Sequence, residues 1–176
     1  MSLLERIHAS LKRPVTISVI ITLLVWTTAF SIWIHPAQGA ALTSISDTLG
    51  DSDLSVASNH TIKFTSPTGV AAAKIIHYTF PTANTEFSSS SITALGVEDF
   101  DFVIGSTEQT VTSTFPGCAG ASFVGITTTV STASTTIRVE ICTSNSVAAN
   151  ASTTIEIGLN ATTGGSGDSQ ITNPSV

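Results

Sequence analysis

The chain predicts an all-β antiparallel sandwich of about seven to nine short strands. Three observations predict it. After residue 41, apolar and polar residues alternate at period two, and no stretch carries the 3.6-residue repeat of an amphipathic helix. Turn residues interrupt the alternating runs at intervals of roughly 8–15 residues, the rhythm of a sandwich. Charged residues make up 10% of the chain, whereas an ordinary soluble domain carries roughly 25%. Disorder needs high charge and few β-branched residues, so this composition argues against it.

The elements follow in order. Leu42–Ser46 is the first expected strand, and Gly50–Asp53 turns the chain. His60–Thr65 alternates cleanly, with Ile62 and Phe64 opposed to Lys63 and Thr65. Ser66–Gly69 is a turn with proline second, where its fixed φ suits the geometry. Lys74–Phe80 is the third strand, ended by Pro81. The serine run Ser88–Ser91 reads as a loop, and Leu95–Asp99 as one helical turn. Phe100–Ile104, Gln109–Phe115, Phe123–Val130, Thr135–Cys142 and Thr153–Leu159 complete the strands. No crossover helix is expected, which argues against parallel pairing. The expected core is Ile62, Phe64, Ile76, Tyr78, Phe80, Phe102, Ile104, Val111, Ile137, Val139, Ile141, Ile155 and Ile157. Burying each such side chain contributes roughly 1.5–3 kcal/mol before entropy is subtracted.

The first 41 residues read as a separate unit. Arg6, Lys12 and Arg13 precede Val15–Ile34, an uncharged run long enough for a bilayer core. Small residues follow, so the pattern is a signal peptide cut after Ala41, with Gly39 or Ala40 as neighbouring sites. An uncleaved anchor is the alternative. Either way, the domain at 42–176 is expected outside the membrane, which is touched only by residues 15–34. That domain keeps three cations, Lys63, Lys74 and Arg138, against eleven acids, a formal charge of −8. Nucleic-acid binding needs a basic footprint and is excluded on this ground.

Cys118 and Cys142 are the only cysteines, and both lie in the expected exported part. Oxidising compartments favour their pairing. Closing a loop of about 24 residues would stabilise the fold by about 3 kcal/mol.

Ser44–Val70 (SISDTLGDSDLSVASNHTIKFTSPTGV) and Asn150–Pro174 (NASTTIEIGLNATTGGSGDSQITNP) resemble the opening and closing segments of immunoglobulin-like β-sandwich repeats in large surface proteins of uncultured small-genome bacteria. The resemblance covers nearly all of Leu42–Pro174 and implies an immunoglobulin-like fold at the cell surface. In that family the "NP" dipeptide leads into a final strand. Here Ser175 and Val176 follow Asn173-Pro174, so the sheet edge beside Ile171–Val176 is expected to be unpaired or patched by another segment.

No catalytic motif is present: no G-x-S-x-G elbow, H-E-x-x-H, C-x-x-C or phosphate-binding loop. His60 and His77 read as ordinary strand histidines. Two acidic turns, Asp47, Asp51 and Asp53 and then Glu98, Asp99 and Asp101, offer the hard oxygen ligands that calcium takes. Neither has EF-hand spacing, and turn capping by Asp47 or Asp51 explains them as well. No cofactor is implied beyond that weak calcium candidacy. Asn59, Asn150 and Asn160 head glycosylation sequons.

The expected function is a non-catalytic module for adhesion, envelope structure or extracellular binding. Its partners would be other surface proteins or glycans. One alternative is a filament subunit in which the Leu42–Asp53 segment exchanges between copies, the self-assembly an unpaired edge permits. A polysaccharide-active enzyme is the other, resting only on the paired acids.

Overall fold

The computed structural model describes residue 18 and residues 41–84, 86–162 and 167–175. Apart from Ser18 and Ala41, the expected leader, with the cleavage positions at Gly39 and Ala40, lies outside the described residues. Among the described residues no helix is long and apolar enough to cross a membrane. Ala40–Val176 forms a compact unit.

The unit is mostly β. Its strands are β1 (Thr43–Leu49), β2 (Ala57–Ser58), β3 (His60–Thr65), β4 (Ile75–Pro81), β5 (Phe100–Ile104), β6 (Thr107–Thr112), β7 (Phe123–Val130), β8 (Ser134–Ile141), β9 (Ser152–Ile157) and β10 (Ile171–Thr172). A short helix, α1 (Ser89–Thr93), and a 3-10 turn, Val97–Asp99, precede β5. Eight strands form one curled mixed sheet in the order β1-β3-β9-β5-β6-β7-β8-β4. β2 and β10 pair separately.

Register explains the core. Ile62 of β3 stands beside Ile155 of β9, which stands beside Phe102 of β5. Ile126 stands beside Val139, and Ile76 pairs with that same Val139 from β4. The curl turns these apolar rows toward one another. Phe64 of β3 meets Tyr78 of β4 edge-on at 6.1 Å between ring centroids, although β3 and β4 are not neighbours in the sheet. His60 meets Phe80 in the same way at 5.7 Å. Ile76, Ile104 and Val111 are only partly buried, because each stands at or next to a strand end. The core also takes Phe100 from β5 and Val124 and Ile126 from β7, and, outside the long alternating runs, Ile92 of α1, Val147 and Ile171.

Tyr78 carries a polar atom into this core. Its hydroxyl is buried with no hydrogen-bond partner among the described residues. Burial pushes the phenol above its usual range. Tyr78→Phe therefore removes an unsatisfied group and should leave stability unchanged or raise it by up to about 1 kcal/mol. A denaturant midpoint that falls by more than that would place a partner on the hydroxyl.

Two sequence expectations need correction. First, β6 and β7 are parallel, through Thr110↔Phe123, Val111↔Val124 and Thr112↔Gly125. The sheet is thus mixed, without a crossover helix. The 113–122 connection returns the chain over the outer side of β7, where the Thr114 carbonyl and Cys118 Sγ occupy the space a Cβ on Gly125 would need. Second, the serine run is helical from Ser89 to Thr93. Ser88 caps it by accepting from the Ser91 N–H, and buried Ile92 anchors it. At the end of the described chain, Ile171–Pro174 is held in place. Ile171 and Thr172 pair with Ser58 and Ala57. The buried Asn173 donates its amide to the carbonyls of Asp51 (2.9 Å) and Asp53 (3.0 Å). The segment stays outside the eight-strand sheet.

Candidate functional site

Three places gather chemistry-bearing side chains. The first is the disulfide. Cys118 and Cys142 are bonded, with Cα atoms 4.8 Å apart, as the sequence led us to expect. The bridge ties the 113–122 connection to the end of β8. Around it the Thr143 N–H donates to the Cys118 carbonyl, and the Gly120 N–H to the Thr143 carbonyl, both at 3.0 Å. The buried Glu140 carboxylate accepts from the Gly117 N–H at 2.8 Å. On the same face, the Arg138 guanidinium lies 4.8 Å from the centre of the Phe115 ring.

The second is Asp99. Its side chain is fully buried at the end of the 3-10 turn. One carboxylate oxygen accepts from Gly96 N–H (2.8 Å). The other accepts from Asp168 N–H (2.7 Å) and Ser169 N–H (2.9 Å). Asp99 thus clamps the 167–169 segment to the start of β5. Glu98, Asp99 and Asp168 converge, with ligand atoms within 4.8 Å of one another. This trio differs from both expected ones. Asp101 instead accepts from Thr162 N–H at 2.6 Å. Asp47, Asp51 and Asp53 serve separate local bonds: Asp51 accepts from Asp53 N–H at 2.8 Å, the turn cap anticipated for it, and Asp47 faces β3.

The third is His60 with Asp47. His60 is fully buried, and its Nδ1 lies 2.8 Å from Asp47 Oδ2. A carboxylate only accepts, so Nδ1 carries the proton. Nε2 is buried without a partner among the described residues. Phe80 and Phe87 flank the ring at 5.7 and 5.8 Å. Sequence alternation marked His60 as a strand residue but carried no sign of this pairing across β1. His77 is exposed and stands opposite Arg138 in the β4–β8 ladder.

On the outward face of the sheet, Asp101 pairs with Glu156, and Glu108 stands one row away opposite Val103. Desolvation, and then the nearby Asp101 charge, hold the Glu108 carboxyl above the usual carboxylate range. A carboxyl that is raised in the folded state opposes folding once ionised. Stability therefore falls as pH rises from the ordinary carboxylate range through the raised one. Glu108→Gln should flatten that decline and modestly stabilise the domain at neutral pH. Thermal melts across pH 4–8 that superimpose for the two proteins would contradict this.

Among the sequon asparagines, Asn59 and Asn160 are occupied internally. Asn59 Oδ1 accepts from Leu159 N–H and from the Gln170 amide, both at 2.8 Å. Asn160 donates to Thr61 Oγ1 at 3.1 Å. Asn150 is exposed.

Fold and bridge together define a disulfide-bonded, mostly β domain. No family model, curated protein or solved structure matches the chain.

Proposed function

We propose that the protein is an exported, non-catalytic surface module, an immunoglobulin-like sandwich that makes contacts through its sheet edges and loops. The observation that carries this reading is the Cys118–Cys142 bridge. Such bonds persist in oxidising compartments and are rare where thiols are kept reduced. The charged N-terminal segment followed by the apolar run Val15–Ile34 supports the same placement. The low charge and the resemblance of Ser44–Val70 and Asn150–Pro174 to surface-protein repeats agree with it. The rings that meet across β3 and β4 favour the sandwich over an open sheet. Partners would be other surface proteins or glycans. The test is to express the full chain with a C-terminal tag in a bacterium and fractionate the cells. The tagged protein should reach the exported fraction. Retention in the cytosol would contradict the reading, as would saturable hydrolysis of a glycan or ester by the purified domain.

A second reading, self-assembly by strand exchange, is favoured by β1. All seven of its residues are exposed, Ile45 at 64%. β1 adds main-chain pairing to β3 but buries little of its own surface. In size-exclusion runs over a range of concentrations, exchange predicts oligomers that disappear when residues 42–49 are deleted. A monomer at every concentration sinks this reading.

A further inference from the structure

A lateral cleft opens where β6 ends and β7 continues. The pairing of β6 with β7 stops at Thr112↔Gly125, while β7 runs on to Val130. The ladder between β7 and β8 fixes which main-chain groups face the gap. Cys142 N–H donates to the Phe123 carbonyl, and Ser131 N–H to the Ser134 carbonyl. Antiparallel pairs alternate, so Gly125, Thr127 and Thr129 exchange hydrogen bonds with β8. Ile126, Thr128 and Val130 turn their main-chain groups the other way. The Thr110 N–H that reaches the Ser122 carbonyl confirms this phase from the opposite side. Next along the chain, the Thr114 N–H is taken by Thr112 Oγ1, so it adds nothing to β7. Neither main-chain group of Thr128 has a partner among the described residues.

The cavity on this side of β7 has a volume of about 270 Å³. Leu95, Val97, Phe100 and Ile126 give it apolar walls, Gly96, Ser113, Thr127 and Thr128 complete the lining, and among the described residues no charged side chain lines it. Pockets for whole drug-sized ligands run from roughly 300 to 1,000 Å³. A volume near the lower end of that range is enough to seat one or two side chains.

We propose that the cleft accepts an extended, uncharged peptide segment of a partner protein, which adds as a strand beside Thr128 and Val130. The unpaired row supplies the main-chain bonds that define strand addition, and the cavity takes an alternate aliphatic side chain. The neutral lining selects against acidic and basic segments, whose charges would lose water without gaining a partner. This assignment rests on the reading of the protein as a contact module and names the chemistry of one contact.

Thr128→Pro tests it. Proline deletes only an N–H that faces the cleft, and β7 keeps its bonds to β8; edge positions of this kind tolerate proline. The probe is a fluorophore-labelled hexapeptide of alternating threonine and valine, with an aspartate-substituted version as control. The intact protein should bind the neutral probe saturably, and Thr128→Pro should weaken binding about five- to tenfold, the loss of one hydrogen bond. The neutral probe should also slow amide hydrogen exchange at Thr128 and Val130 in the unmutated protein, a readout that does not depend on the variant folding. Equal binding of both probes, unchanged affinity in a folded Thr128→Pro, or no slowing at those two amides would overturn the proposal. Cytosolic retention or a hydrolytic activity would instead strike at the module reading and leave these results standing.

Discussion

Replacing Cys118 and Cys142 together by alanine should lower the stability of the domain by about 3 kcal/mol, the chain-entropy value for a loop of this length. The two residues are 24 apart in sequence, and both are buried. The effect should be visible as a lower denaturant midpoint, and reductant should reproduce it in the parent protein but leave the variant unchanged. Local consequences should concentrate where the bridge acts. The 113–122 connection is what allows β6 and β7 to lie parallel, and the bridge holds it near β8 through Thr143. Amides at Thr110 and Thr112 should therefore exchange faster once the bridge is gone, while those of β3 and β9 keep most of their protection. A midpoint unaffected by both reductant and mutation would show that the bridge is not restraining the unfolded chain.

Asp99→Ala should be comparably damaging, at about 3 kcal/mol. Three main-chain N–H groups lose a buried charged acceptor, and hydrogen bonds to charged groups contribute roughly 1.5–3 kcal/mol each. Water can recover part of this at the exposed Asp168, so the cost stays below the sum. Asp99→Asn should recover only part of the loss, since one of its side-chain positions would present N–H to N–H. The specific readout is hydrogen exchange: Gly96, Asp168 and Ser169 amides should lose protection together, because one carboxylate holds all three. Protection retained at any of them in a folded Asp99→Ala would contradict the clamp.

Much of the fold was legible in period-two alternation. β3, β5 and β7 span the residues that the alternation marks, and β4, β8 and β9 differ only at their ends. Alternation reports which face of a strand is apolar, and these strands each have one apolar face toward the core. It does not report a partner's direction. The parallel placement of β6 beside β7 depends on a bridge and on a glycine that lets a carbonyl approach, both outside the strands' own pattern. The serine run misled because its helix is held by a cap and one buried isoleucine, too short for a repeat to show. Site residues were less legible still. Asp99 was visible as one acid among three, but its donors lie near residue 168, and nothing local to Val97–Asp101 announces them. The Asp47–His60 contact likewise joins two strands whose individual patterns are unremarkable. Thr128 is an ordinary threonine in sequence, and its open main chain follows only from where β6 stops.

The most direct test of an exported, disulfide-held contact module is mass spectrometry of the protein recovered from cells without reduction and blocked with a thiol-alkylating reagent at lysis. The account predicts that the protein is found in the exported fraction and that one unreduced peptide pair joins Cys118 to Cys142. Protein confined to the cytosol with both cysteines alkylated would contradict it.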